Sequence, residues 1–392
     1  MNSKKKIVII GGGISGLTTA YQLFKAGLDV TVLEKNKEIG GSMETISENG
    51  FLFDRGANSG LETVPLIRKI ADEVGLKDEF IHANAKANKR YILRNNKLHA
   101  LPMSPLEFIK TKLFSTKAKF RLLAEPFIGR SKDGYYQSIG QFVRRRLGSE
   151  FLDYAINPFV SGVYAGDPDE LSVRSSFPKL YELEEKYGGL IVGTIRSIRE
   201  RKKRKEIAKQ SAKMFSFKSG MQIYPQTIAK VMDERVITFA DVTKIEKQDS
   251  MYRISYDNAG HTKHIDADIV ISTIPAYACA NLIRHFDSEV GLHLDSIFYP
   301  PVMVLYLGYK KEDVKRNLDG FGFLIPEKEE KSFLGAIWSS TIFPNRSKEN
   351  EVAFTLFVGG SRNKEMFSKV DKEIIINNAI DEFEKKIGRA HV

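Results

Sequence analysis

The residues best placed to do chemistry lie near the amino terminus. Gly11, Gly13 and Gly16 give a G-x-G-x-x-G spacing directly behind the apolar run 7–10. The first glycine permits a tight turn, the second lets backbone approach a pyrophosphate, and the third lets helix and strand pack closely. Residues 17–25 have a helical pattern closed by Gly27, so the helix start offers free N–H groups and a positive dipole end to phosphates. A second apolar run, 30–33, ends on Glu34, whose carboxylate can accept both hydroxyls of an adenosine ribose. Strand, glycine turn, helix, second strand and acid together predict a dinucleotide site. At this level nicotinamide and flavin dinucleotides both remain open.

No other constellation competes with it. There is no Ser/His/Asp or Cys/His set and no defensible pair of carboxylates, so no catalytic side chain is assigned. His261 and His264 sit three apart beside a turn and read as solvated histidines; a metal site would want more ligands. Cys279 is the single cysteine, which rules out a disulfide framework, points to a reducing compartment and reads as a small buried hydrophobe. With 392 residues, 42% hydrophobic and 28% charged, the chain should form two or three globular domains. Its net charge of +11 favours anionic partners. No apolar run is long enough to span a bilayer; the longest, IVISTIPAYACANLI, is broken by Pro275. The short start MNSKKK carries the expectation of no signal or transit peptide. No repeat at solenoid periods is present.

Around the cofactor pattern the sequence predicts an interrupted domain. The pattern fades near residue 80 and returns at FKSGMQIYPQTIAKVM, a helix. Alternating strands follow, joined by an Asp257-Asn258-Ala259-Gly260 turn, and then a buried strand that stops at Pro275. Between the blocks lies helical sequence. Ser104, Pro105 and Glu107 form a capping-box start. Beyond it, Leu106, Ile109, Leu113, Phe114, Phe120, Leu123 and Phe127 interleave with Lys110, Lys112, Lys117, Lys119 and Arg121. Such a segment either lies on a membrane surface or packs its apolar face into the protein. A basic run follows, with Arg196, Arg199, Arg201, Lys202, Lys203, Arg204 and Lys205. Such runs are solvated, or attracted to anionic lipid at about 1 kcal/mol per residue. No aromatic platform accompanies it, so nucleic acid is not expected as a partner.

Gly40 and Gly41, soon after Glu34, resemble the second glycine pair of the flavoprotein family of amine oxidases, phytoene desaturases and protoporphyrinogen oxidases. GFLFDRGANSG resembles that family's next motif. This chain has Ser42 where the family often has Arg or Lys, and Ala57 where many members have proline. A further string, INPFVSGVYAGDPDELSVRSSFPKLYELEEKYGGLIVG, resembles the signature of the protoporphyrinogen oxidases. NKRYILRNNKLHALP, LDGFGFLIP, LGAIWSSTIFP and FTLFVGGSRNKE agree with it from residue 7 to about 385.

The resemblance implies an α/β class (α+β overall), with a Rossmann-like FAD-binding domain of the amine-oxidase type, an inserted helical domain and a mixed-sheet substrate domain. The implied segments are 1–84 and 213–282 for FAD, 85–212 for a membrane-associated helical insert and 283–386 for substrate. FAD would contact Gly11, Gly12, Gly13, Ile14, Ser15, Gly16, Glu34, Lys35, Gly41 and Ser42. Gly56, Ala57, Asn58 and Ser59 would run beside the flavin ring, with Val242 touching adenine through its backbone, and Thr273 would also contact the cofactor. Arg90 would bind a substrate propionate, Phe357 would stack on a pyrrole, Leu324 and Ile337 would grip the opposite ring, and the Gly162 carbonyl would face the macrocycle. Read from the residues alone, Arg90 is one more surface cation and the other side chains are core positions on strands.

The implied reaction is six-electron oxidation of protoporphyrinogen IX to protoporphyrin IX, with dioxygen as acceptor and hydrogen peroxide as product. Coproporphyrinogen III oxidation is the alternative, and a general amine oxidase-like flavoprotein or an inactive FAD-fold fragment stands behind both. The resemblance further implies a bacterial cytoplasmic protein, peripheral on the inner face of the cell membrane, with a homodimer and a product hand-off to ferrochelatase as added expectations. Members of the family continue past this chain's end with a strand, a Gly-rich turn and a helix. The closing IGRAHV equals the translation of a sequencing adapter in one frame. Residues 387–392 are therefore expected to be a non-native tail, with the natural protein longer and one wall of the flavin site missing here.

Overall fold

The computed structural model describes residues 5–131, 136–204 and 212–388. The expectations placed on Lys205, on the side chains of 201–204 and on the tail 389–392 lie outside the described residues. The chain divides into two compact units, Met1–Ala83 with Ala212–Tyr299, and Asn84–Ser211 with Pro300–Val392.

The first unit is built on a parallel sheet in the order Val236–Ile237, Asp29–Leu33, Lys6–Ile10, Ile269–Ser272. Val8, Ile9, Val30 and Val32 are fully buried, because a parallel strand covered on both sides has no polar face. The helix Ile14–Lys25 makes the crossover between the first two strands, and Ile223–Met232 joins it in the same core. An antiparallel meander, Ala240–Gln248, Met251–Asn258 and His261–Ala267, carries the chain to the last parallel strand. Its second turn has Ala259 and Gly260 at positive φ, with Gly260 N donating to Asp257 Oδ1 at 3.1 Å. Residues 283–299, expected in the substrate domain, lie in this unit, because the helix Ser288–Asp295 folds back on Ala276–Ile283.

The second unit combines the helical insert with a six-stranded sheet. Its strand order is Val302–Lys310, Glu351–Gly359, Gly335–Ile337, Gly320–Leu324, Lys89–Arg94, Lys97–Ala100. Only Gly320–Leu324 and Lys89–Arg94 run parallel; the remaining neighbours are antiparallel. One sheet face buries Tyr91, Leu93, Phe323, Ala336, Trp338, Phe354 and Leu356 against the helix Lys372–Ile387. That helix offers Ile375, Ala379, Phe383 and Ile387, one residue per turn, and Gly388 ends it at φ 78°. On the other face Ile92 and Leu324 pack with Leu113, Phe114, Phe142, Val143 and Val160 of the insert.

A buried ion-pair network holds the insert together. Arg146 is fully buried and donates to Glu125 at 3.0 Å, to Glu184 at 2.8 Å and to the carbonyls of Ile128 and Gly188. Glu125 in turn accepts from the N–H groups of Leu190 and Ile191, at the start of the helix Leu190–Arg204. A carboxylate there is favoured by the helix dipole. The first part of the basic run is therefore helical.

Candidate functional site

In the first unit the glycine loop forms a cradle. Gly11 has φ +110°, and a Cβ there would fall 2.8 Å from Thr273 Oγ1. A Cβ on Gly16 would overlap the Gly11 carbonyl oxygen. Gly13 is different: a Cβ there would meet nothing nearer than 3.9 Å. Gly11 and Gly16 are thus required by the protein itself, whereas a Cβ on Gly13 would make only ordinary contact with Gly40 and Gly41, on the side of the cleft that a ligand can enter. The helix Ile14–Lys25 starts at Gly13 without a side-chain cap, so its first N–H groups remain available to an anion.

The second glycine pair is tied to this loop. Gly40 N donates to Gly12 O at 3.1 Å, and Gly13 and Gly40 form an isolated parallel bridge. A bracing set that sequence reasoning missed holds it from behind. Gln222 Nε2 donates to Ile39 O, and its Oε1 accepts from Thr45 N. The hydroxyl of Thr45 donates to buried Asp54, which also accepts from Met221 N. Thr45 and Asp54 pair across one hairpin, but Met221 and Gln222 lie 167 and 177 residues from their partners there, so no sequence signal joined them.

Glu34 is 5% exposed, with Oε2 accepting from Gly12 N at 2.7 Å and Oε1 from Asn36 N at 2.9 Å. Two backbone bonds fix the carboxylate in place, and each oxygen keeps a second acceptor position. The Thr273 hydroxyl lies within 3.1 Å of the carbonyls of Ile10 and Gly11. Gly11, Gly13, Ile14, Ser15, Glu34, Lys35, Gly41, Ser42, Val242 and Thr273 line one cleft of about 730 Å³, in the size range of small-molecule sites. Gly12, in the loop, and Gly16, in the first turn of the helix, are not among the lining residues. The helix Ala276–Ile283 supplies a wall that the sequence did not reveal, through Tyr277, Ala278, Asn281 and Leu282. A glycine cradle with free N–H groups, an anchored acid and this volume fit a dinucleotide such as FAD.

Gly56, Ala57, Asn58 and Ser59 are not among the residues lining that cleft. Gly56 has φ +83° and approaches Ser42 O too closely for a side chain. Asn58 accepts from Ser59 Oγ through its side chain and from Ser216 Oγ through its carbonyl.

In the second unit, register brings four separated residues to one face. Arg90 pairs with Gly322, Gly322 with Ile337, and Ile337 with Thr355. One row along, Ile92 pairs with Leu324, Leu324 with Gly335, and Gly335 with Phe357. Partners across a sheet share a face, as do residues two apart. Arg90, Leu324, Ile337 and Phe357 therefore all face away from the Lys372–Ile387 helix. Glycines intervene: Gly322 between Arg90 and Ile337, Gly335 between Leu324 and Phe357. The apolar three are half-buried and Arg90 is exposed. Gly162, in the helix Asn157–Tyr164, reaches the same face against Leu324.

Lys89 and Arg90 are adjacent cations with different surroundings. Lys89 bonds Asp319 at 2.6 Å, as does the Tyr91 hydroxyl. Burial pushes the Asp319 carboxyl up, but bonds from Lys89 and Tyr91 hold it below its ordinary value. Lys89 is thereby neutralised. Arg90 has no ion pair among the described residues; its guanidinium lies 5.6 Å from the Phe321 ring centre. Such a flat, apolar surface with one planar cation can hold a flat apolar molecule bearing carboxylates. No group of three His, Cys, Asp or Glu able to hold a metal occurs among the described residues.

Comparison with known proteins shows which family the chain is similar to. The sequence profile of the family described as flavin containing amine oxidoreductase matches residues 14–391. The chain is 35% identical to protoporphyrinogen oxidase 2, chloroplastic/mitochondrial, of Arabidopsis thaliana, over 93% of this chain and 77% of that protein. It is 30% identical to coproporphyrinogen III oxidase of Bacillus subtilis, over 98% of this chain and 83% of the other. Its fold is similar to a solved structure from Exiguobacterium sp. 255-15, provisionally named a protoporphyrinogen oxidase. That likeness has a TM-score of 0.81 and 23% identity, covering 100% of this chain and 84% of that one.

Proposed function

Because this chain belongs to the flavin-containing amine oxidoreductase family, we propose that it oxidises protoporphyrinogen IX to protoporphyrin IX. It is an FAD-dependent oxidoreductase. FAD, when bound, supplies a two-electron acceptor used three times; six electrons and six protons leave the macrocycle, and three dioxygen become three hydrogen peroxide. The chain's own residues bind and orient. The glycine cradle and Glu34 hold the dinucleotide. The glycine-gapped sheet face holds the substrate, with Leu324, Ile337 and Phe357 against its rings and Arg90 on a propionate.

The observation that carries this reading is the shared face of Arg90, Leu324, Ile337 and Phe357, four residues from four strands. Arg90, without an ion pair among the described residues, suits a substrate carboxylate. Coproporphyrinogen III, with four, is the second reading, and the relatives of that name in Bacillus subtilis and Staphylococcus aureus favour testing it. The test is turnover of each porphyrinogen by the purified, FAD-supplemented chain, read as porphyrin fluorescence and peroxide release. A higher kcat/KM on protoporphyrinogen IX is expected; a preference for coproporphyrinogen III selects the second reading, and no turnover of either overturns both.

A bacterial cytoplasmic location with peripheral contact to the inner membrane face belongs to the same proposal. Leu113 and Phe114 enter the core, but Met103, Leu106, Ile109, Phe120, Leu123 and Phe127 are each more than 60% exposed. Lysines 110, 112, 117 and 119 stand among them. An exposed apolar set ringed by cations suits an anionic lipid surface. Among the described residues no helix is long and apolar enough to cross a membrane.

A further inference from the structure

The dinucleotide cleft contains two side chains so far without a task. Tyr277 and Asn281 lie one turn apart on the helix Ala276–Ile283, and both line the cleft. The Tyr277 ring is 53% exposed and meets Tyr299 edge-on, with centroids 5.4 Å apart. The Tyr299 hydroxyl accepts from Ala276 N at 3.0 Å and so fixes the start of the helix. At the other end, Leu282 is buried in a small cluster with Ile10 and Ile245, against which Val242 packs. The last turn of the helix therefore runs beside Val242, and Asn281 stands exposed next to it.

Order along the cleft follows from chemistry. The glycine cradle suits the diphosphate and Glu34 suits the ribose, so the base lies beyond Glu34, in the part of the cleft lined by Val242 and Asn281. We infer that Asn281 reads the base of the dinucleotide cofactor and that Tyr277 forms a wall of its pocket. A carboxamide presents a donor and an acceptor side by side, matching the amino group and adjacent ring nitrogen of adenine. The strand bulge between Val242 and Lys244 frees backbone groups on the opposite wall. An aromatic ring offers stacking area for a purine. The inference rests on the dinucleotide reading of the cleft and extends it to the base.

The experiment measures binding, not turnover. Calorimetric titrations of FAD, ADP and inorganic pyrophosphate are run on the parent chain and on Asn281→Leu, Tyr277→Phe and Tyr277→Ala. Asn281→Leu is expected to weaken FAD and ADP about tenfold, the effect of losing a pair of neutral hydrogen bonds, and to leave pyrophosphate unchanged. Tyr277→Phe keeps the ADP affinity, and Tyr277→Ala weakens it severalfold. Unchanged ADP affinity in Asn281→Leu overturns the inference, as does an equal loss of pyrophosphate, which would mean that the change acts through the glycine loop. If the parent binds FAD and ADP while the variants do not differ, only this inference fails. If the parent binds neither, the cofactor reading fails and takes this inference with it.

Discussion

Gly162 faces Leu324 with no space for another carbon: a Cβ built on Gly162 would overlap Leu324 Cδ2. The contact joins the insert helix Asn157–Tyr164 to the strand Gly320–Leu324 and sets where the Leu324 tip stands on the sheet face. A reciprocal bond supports it nearby. Asn157 Nδ2 donates to Glu327 Oε2 at 3.1 Å, and Glu327 N donates to Asn157 Oδ1 at 3.0 Å. A turn of π-helix, Leu152–Ile156, directly precedes Asn157 and Pro158. Proline cannot donate the next helical bond, and π turns often mark functional positions.

Gly162→Ala should therefore displace Leu324 rather than unfold the chain, because the obstacle is the tip of a flexible side chain. A stability loss of about 1–3 kcal/mol is expected for such overpacking, with a raised KM for porphyrinogen. Adding Leu324→Ala should return part of that stability. A double-mutant cycle by chemical denaturation measures the coupling; additive losses would show that the contact is not energetic.

Arg90 should act in binding alone. Arg90→Leu is expected to raise KM about tenfold with little change in kcat, the signature of lost uniform binding. Arg90→Lys should recover only part, since an ammonium lacks the planar fork. Steady-state porphyrin fluorescence reads both constants. An unchanged KM would return Arg90 to the status of a surface cation.

Gly13→Ala and Gly16→Ala should part company. The first has room in the protein and should leave apo stability within about 0.5 kcal/mol of the parent, while its methyl group blocks the approach of a pyrophosphate and abolishes flavin binding. The second collides with the Gly11 carbonyl and should cost folding itself. Thermal melts of the apo chains, paired with flavin absorbance after reconstitution, separate the two.

The ion-pair network predicts an acid limb. Burial pushes Glu184 up, but bonds from Arg145, Arg146 and Ser131 N outweigh it and hold the carboxyl below its ordinary 4.5. A depressed acid contributes stability that is fully present above 4.5 and is lost as pH falls toward the lower folded value. Melts followed by helical circular dichroism should drop steeply below that pH. Glu184→Gln should be less stable at pH 7 and show a shallower acid drop; an identical pH profile would remove Glu184 from the account.

Membrane contact should depend on both the apolar residues and the lysines. Leu106→Ser with Phe120→Ser should reduce co-sedimentation with vesicles containing phosphatidylserine, and added salt should reduce it further. Equal binding to neutral phosphatidylcholine vesicles would remove the electrostatic part of the proposal.

What the sequence determined by itself was local in origin. The glycine spacing, the helix behind it and Glu34 at a strand end are consequences of backbone geometry within a few residues, and they are legible because only glycine fits where a Cβ meets Thr273 or the Gly11 carbonyl. The Ala259–Gly260 hairpin is of the same kind. The tertiary structure decided everything set by long-range register and packing. It divided the helical stretch, taking Leu113 and Phe114 into the core and leaving Phe120 and Phe127 outside, a choice that amphipathicity left open. It brought Gln222 to Thr45 and Ile39 beside Gly40, although Gln222 lies 177 residues from Thr45 along the chain. It also placed Arg90, Ile337, Leu324 and Phe357 on one face, because strand pairing has a period of two and a shift of one residue would have turned any of them into the opposite core.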